Sequence, residues 1–333
     1  INNVPIASFD KILQGQAAGV LSQSNSGQPG AGASVLIRGA GSINSSTQPL
    51  YILDGVPIDA AEFETLNPND ISNISVLKDA SSSAIYGSRG ANGVIVITSK
   101  SGQSGKPKVT FSAQYGVSEA PKNFLPVMNT NQKIDFELLT GGTTLSTYTA
   151  EQIDSLRQFE TSWKDELFET AVTRNYQINV SGGNENTTYF ISGSYYDEDG
   201  TVVTTGLKRY TARVNLKTVT GNLTFGTNNT LGYSRLRDTN EGDQFIGSPL
   251  NAAYWSNPYE PVFNPDGTYN QLVSGQPNGV QELVQNTNIT ENVKIISSLY
   301  GEFDIPGVDG LSVNSRWGVD FDSDIDSDFT DPR

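Results

Sequence analysis

The chain has 333 residues, which suggests roughly two domains, and carries 21 Lys and Arg against 36 Asp and Glu, a formal net charge of -15. That balance argues against nucleic acid as a partner, because phosphate binding needs clustered Lys and Arg. Cysteine and histidine are absent, which excludes disulfides, thiolate and Ser-His-Asp catalysis, and Cys- or His-ligated zinc. No run approaches the roughly 18 apolar residues of a membrane-spanning helix. A transmembrane β-barrel stays open, since its strands alternate apolar and polar residues and look soluble on average. The chain begins at Ile1 without Met or a basic-then-apolar segment and stops just after an acidic stretch. Both ends read as cuts from a longer mature protein.

In chain order, the first part holds short apolar runs between Gly-rich turns. Strands are predicted at 34–38 (SVLIR), 49–53 (PLYIL), 71–77 (ISNISVL) and 93–98 (GVIVIT), with a turn at 67–70 (NPND). Asp79 is placed to cap a short helix over 80–86, stopped by Gly87. The result is a small α+β unit with a long polar loop at 39–48, and a flexible joint, GQSGK, follows at 102–106.

Beyond Lys108 the strands lengthen and alternate with period two. Val109, Phe111, Ala113 and Tyr115 share one face; so do Tyr176, Ile178 and Val180, and, in a third strand, Ala212, Val214 and Leu216. Stretches 189–197, 223–237, 293–304 and 311–321 complete seven candidate strands. Connections alternate in length: long at 117–174, with a helix predicted over 149–159, short at 183–187, longer at 198–208, short at 220–222, long at 238–289, short at 306–310. Outer-membrane barrels have short periplasmic turns and longer outer loops. A soluble β-sandwich or solenoid is the competing architecture.

The run VLIRGAGS at 35–42, then PLYILDGVPID at 49–59, then LNPNDISNISVLKDASSSAIYGSRGANGVIVITSKSG at 66–102, resembles the plug domain of TonB-dependent outer-membrane transporters. Within that superfamily it is similar to the SusC/RagA type. The resemblance implies an α+β plug domain at 1–102 followed by antiparallel transmembrane β-barrel strands at 103–333, a fragment of a barrel of roughly 22 strands whose lumen is plugged. It also implies active import of an oligosaccharide or oligopeptide with a SusD-like surface lipoprotein as lid and TonB, ExbB and ExbD supplying energy. The barrel would sit in outer-membrane lipid, with no cofactor and no enzymatic step. The TonB box and the remaining strands are expected outside this sequence. A siderophore or vitamin receptor without a lid is the alternative within the superfamily, and a secreted β-rich enzyme is the alternative outside it.

Several residues are singled out. The aromatics Tyr254, Trp255 and Tyr259, with Phe263 and Tyr269, lie in the 238–289 loop, and Asn44, Ser46 and Gln48 in the plug loop. Both groups are candidates for substrate contact, the former by offering flat faces to sugar rings or peptide side chains; packing within the loop is the competing role. Arg38, Asp54 and Arg89, with Lys78 and Asp79, either anchor the plug to the barrel wall or pair within the plug, and pairing within the plug is slightly favoured. Asp322, Asp324 and Asp326 are a weak calcium candidate in what reads as a solvated outer loop, since Ser327 and Arg333 break the EF-hand pattern. Glu62 with Glu64, and Asp197 with Asp199, have the residue types of a glycosidase pair but read as loop acids. GQSGK lacks P-loop spacing, and Gly39-Ala-Gly41 lacks the third glycine of a dinucleotide loop.

Overall fold

The structure is a computed structural model that describes residues 13–15, 18–24, 26–39, 47–59, 65–120, 122, 125–142, 144–239, 248–272, 275–308 and 310–332. The N-terminal unit has two small sheets. Strands β1 (Val20–Ser24) and β2 (Ala33–Ile37) form an antiparallel pair; β3 (Leu50–Leu53), β4 (Val56–Ile58), β5 (Ile71–Leu77) and β6 (Val94–Ser99) form a sheet of order β4-β3-β6-β5, with β3 and β6 parallel. Strands β1 and β4 were not among the predicted ones. The β3–β4 hairpin turns on Asp54-Gly55, whose φ values of 49° and 87° are those a tight type I′ turn demands. The core of the unit is Val35, Ile37, Tyr51, Leu53, Val56, Ile58, Ile95 and Ile97.

The predicted helix at 80–86 is two elements: α1 (Ala80–Ser83), then a 3-10 segment, Ala84–Gly90, broken at Gly87 with φ of 60°. Asp79 occupies the cap position without a side-chain cap bond, because its carboxylate is held by Arg38 at 2.5 Å.

The second part is one antiparallel meander of seven long strands, in sheet order β13 to β7: β7 (Gly105–Ser118), β8 (Ala171–Gly183), β9 (Thr187–Asp199), β10 (Gly206–Thr220), β11 (Leu223–Asp238), β12 (Thr287–Asp304) and β13 (Ser312–Phe329). Every neighbour in the sheet is a neighbour in sequence. The tight turns 184–186 and 221–222 lie at one end; the connections 119–170 and 239–286 lie at the other. Strict alternation of length does not hold, because β9 runs to Asp199 and β10 starts at Gly206, paired to each other to their ends, which shortens their connection to 200–205, less than the 305–311 turn opposite.

The two faces of the sheet are inverted relative to a soluble protein. The inner face, turned to the N-terminal unit, buries Asn175, Gln177, Ser192, Arg209, Thr211, Arg213, Asn215, Thr230, Ser234, Asn292 and Lys294. The outer face exposes Ile178, Ile191, Val214, Leu216, Phe225, Leu231, Ile295, Leu299, Trp317, Val319 and Phe321. A sandwich buries its apolar face, so the soluble architecture is excluded. No described helix is long and apolar enough to cross a membrane.

The acidic run is a correction to the sequence reading. Asp322, Asp324, Asp326 and Asp328 lie in β13, not in a loop, and alternation puts all four on the face of Arg316 and Asp320. Asn292 donates to Asp322 at 2.7 Å and also to Asp324, and Thr290 donates to Asp326 at 2.8 Å. Carboxylates two residues apart on a strand are about 7 Å apart along it, whereas calcium gathers oxygens at about 2.3–2.6 Å. Among the described residues no group of three or more acids is arranged to hold a metal.

Candidate functional site

The first candidate site is the contact between the N-terminal unit and the inner face of the sheet. Asp54 sits in the β3–β4 turn. One carboxylate oxygen accepts the Ser99 backbone N–H at 2.9 Å, and the other pairs with the Arg213 guanidinium of β10 at 2.9 Å. Both side chains are buried, 9% and 4% exposed. Beside them Arg316 of β13 donates to the Asp54 carbonyl at 2.6 Å and stacks on Tyr300 at 5.3 Å. Asn215 donates to Ser99 Oγ at 2.8 Å and to the Lys100 carbonyl at 2.7 Å. Ile296 of β12 closes the apolar core of the unit from the sheet side. Backbone approaches side chain at Gly318, where an added Cβ would stand 2.5 Å from Val56 Cγ2.

Asp70 is a second anchor that the sequence marked only as a turn residue. The Pro68–Asp70 turn is capped by Asn67 and buries the carboxylate, which accepts from Gln177 of β8 at 3.0 Å and from Ser192 of β9 at 2.8 Å. Burial pushes this carboxyl above its ordinary 3.8, against the opposing pull of Arg213 and the two donors. The native state then binds more protons than the unfolded one between 3.8 and the raised value. The stability Asp70 contributes is therefore fully present below 3.8 and is lost as pH rises through the raised value. Asp70→Asn is expected to leave the thermal midpoint of the full-length protein at pH 7 unchanged, or to raise stability by up to about 1 kcal/mol. A loss larger than that would show that the Asp70 charge is needed to hold Arg213.

The candidate anchors thus separate. Asp54 reaches the wall. Arg38 does not: its partner is Asp79 within the same unit, and both are largely exposed, 62% and 70%. Lys78 likewise donates to the Ala18 carbonyl. Arg89 is exposed, with no part in the buried contact.

The second candidate site is a groove among the long connections. These fold around α2 (Thr130–Thr140), α3 (Ala150–Leu156), α4 (Trp163–Leu167), α5 (Pro249–Trp255) and α6 (Gly279–Gln285). Thr149 and Gln152 form a capping box on α3, as do Asn129 and Gln132 on α2. Trp163 and Leu167 pack with Ala252, Val262, Leu272 and Leu283, tying the two connections together. Trp163 also donates to the Asn257 carbonyl at 2.9 Å.

Above this floor lies a cavity of about 420 Å³ lined by Leu125, Val127, Met128, Lys133, Tyr254, Trp255 and Pro258 among others. Trp255 is 58% exposed, and Tyr254 accepts the Leu125 backbone N–H at 3.1 Å. Tyr259 is a correction: it is fully buried with Ile134 and Leu145, and its hydroxyl donates to Glu137 at 3.1 Å, so it packs the connection and offers no face to a ligand. Burial and the Glu137 charge push that hydroxyl up and keep it a donor. Phe263 and Tyr269 pack against each other, with ring centroids 5.0 Å apart and planes tilted by 35°. Gln48 is exposed and outside this groove; Asn44, Ser46, Glu62 and Glu64 lie outside the described residues. Asp197 and Asp199 are both held by Arg174, at 3.2 and 3.5 Å, and form no catalytic pair.

A family model, the TonB-dependent receptor plug domain, matches residues 1–94. TonB-dependent receptor P26 of Formosa agariphila is 33% identical over 99% of this chain and 33% of its own length. TonB-dependent receptor SusC of Bacteroides thetaiotaomicron is 35% identical over 78% of this chain and 25% of its own. The solved RagAB peptide importer superposes with a TM-score of 0.82 at 28% identity, covering 96% of this chain and 39% of that one. The chain spans about a third or less of the length of the curated relatives it matches. An N-terminal unit that matches the plug model and docks on the polar face of a meander matching RagA places the chain among the SusC/RagA-type TonB-dependent transporters, β-barrel proteins of the outer membrane.

Proposed function

We propose that the full protein imports an oligosaccharide or oligopeptide across the outer membrane, with residues 1–102 as the plug and residues 103–333 as the start of the barrel. The observation that supports this most is the buried Asp54–Arg213 pair, which joins the plug to a polar wall whose other face is apolar. The mechanism is gating without bond chemistry. Capture of substrate at the outer end shifts the plug, and TonB, energised with ExbB and ExbD, displaces it. A SusD-like lipoprotein closes the outer end. The likeness to the RagAB peptide importer and to SusC favours this reading over a lidless siderophore receptor.

In this reading the tight turns are periplasmic and the connections with α2 to α6 are exterior. An epitope inserted at Gly275 is expected to bind antibody on whole cells, and one at Asn222 is not; the reverse pattern would invert the topology. Trp255, exposed on the exterior groove, is the substrate-stacking candidate. Mass spectrometry of ligand co-purified with the intact complex identifies the substrate. Trp255→Ala is then expected to weaken its binding roughly tenfold in calorimetry, the effect of losing one aromatic anchor. Unchanged affinity would remove the groove from the substrate path.

A further inference from the structure

The outer face of the barrel bears two parallel rows that transport does not use. Tyr176, Tyr195, Tyr210 and Tyr233 are register partners across β8 to β11, with rings 6.4, 4.9 and 6.2 Å apart in turn. Toward the tight turns the same face is Ile178, Ile191, Val214 and Leu231. A tyrosine row above an apolar band marks the membrane interface, where lipid headgroups lie.

Two residues further toward the exterior, in the same register, comes the second row: Arg174, Asp197, Lys208, Arg235 and Glu291. Its acids are already engaged. Arg174 holds Asp197 and Asp199, and Arg235 holds Glu291 at 3.2 Å. Lys208, exposed between them, has no ion pair among the described residues. A cavity of about 290 Å³ opens beside it, with Lys208, Arg235 and Arg237 on its wall together with four acids, Glu169, Asp197, Glu198 and Asp199; Arg174 holds Asp197 and Asp199, and the Tyr196 hydroxyl donates to Glu198 at 2.9 Å. Arg237 is steadied by its bond to the Leu283 carbonyl at 3.2 Å. Strands β9 to β11 are in the middle of the sheet, so this surface is not one that the barrel's remaining strands cover.

We infer that Lys208, Arg235 and Arg237 hold a phosphate-bearing headgroup of an outer-leaflet lipid, whose acyl chains descend over the tyrosine row. Lysine and arginine supply the charge-assisted donors that phosphate oxygens accept, and the height of the cavity above the tyrosines selects a lipid over a soluble anion. The inference rests on the exterior placement of the long connections, which the Gly275 epitope tests separately.

The test is native mass spectrometry of the full-length transporter in detergent, offered phosphorylated lipid A or the same lipid A with its phosphates removed. Wild type is expected to retain the phosphorylated form roughly tenfold better, the size of one or two charge-assisted contacts. The Lys208→Gln/Arg237→Gln variant is expected to lose that preference, while Lys217→Gln, near the tight-turn end, keeps it. Equal retention of both lipids by wild type would overturn the inference, as would a preference unchanged in the double variant. Displacement by millimolar inorganic phosphate would reassign the site to a soluble anion and overturn it too. If the double variant does not assemble, the wild-type comparison decides alone. The readout needs no transport substrate, so its failure leaves the transport reading standing.

Discussion

Deleting residues 1–102 from the full-length transporter is expected to convert a closed protein into a large ion-permeable pore. The inner face of β8 to β12 offers Asn175, Gln177, Thr211, Asn215, Thr230 and Ser298, all buried in this structure. With the plug gone these groups line water, which suits them, and a barrel of roughly 22 strands, the size the family resemblance implies, encloses a wide lumen. Large, stable conductance steps in planar bilayers are the expected record, absent from the intact protein. Equal conductance with and without the segment would mean that the plug does not seal the lumen.

Arg213→Ala is expected to loosen the plug without removing it. The substitution leaves the Asp54 carboxylate buried with only the Ser99 N–H as a partner. An orphaned buried charge of this kind destabilises by about 3–5 kcal/mol. The loss should appear as a lower thermal transition of the full-length protein and as intermittent conductance. Adding Asp54→Asn removes the charge, keeps an acceptor for Ser99 and tolerates the 49° φ at that position. The pair is therefore expected to recover more than half of the loss, a coupling that a double-mutant cycle reads directly. A single-variant effect below about 1 kcal/mol would reduce the ion pair to a bystander.

The strands of the barrel were legible because their outer faces are apolar and their spacing is two. Even β13 announced its first part through Val313, Trp317, Val319 and Phe321, though not its continuation through the aspartates to Phe329. The aspartates were misplaced because low β-propensity argues for a loop, and a lumenal face does not require apolar residues. The plug motif was legible as a resemblance, and the Asp54-Gly55 turn lies within it. The partner of Asp54 was not legible: Arg213 is 159 positions away, and any cation on an inner-facing position of β10 would read the same way. Asp70 was hidden by its role in a turn. Tyr259 and Trp255 look alike in sequence, and only the fold of the long connections separates the buried one from the exposed one. The capping box of α2, Asn129 with Gln132, was a readable signal that was passed over.

The meander has a consequence for how such a protein is put together. Each barrel strand pairs with the one before it in sequence, so a sheet built in chain order would grow hairpin by hairpin from β7. The groups that grip the N-terminal unit, Gln177, Ser192, Arg213, Asn215, Ile296 and Arg316, all belong to β8 through β13. A wall built in that order would present these contacts before any later strand forms. The folded unit would then meet an open arc of wall from the side, with no globule to be threaded through the mouth of a finished pore.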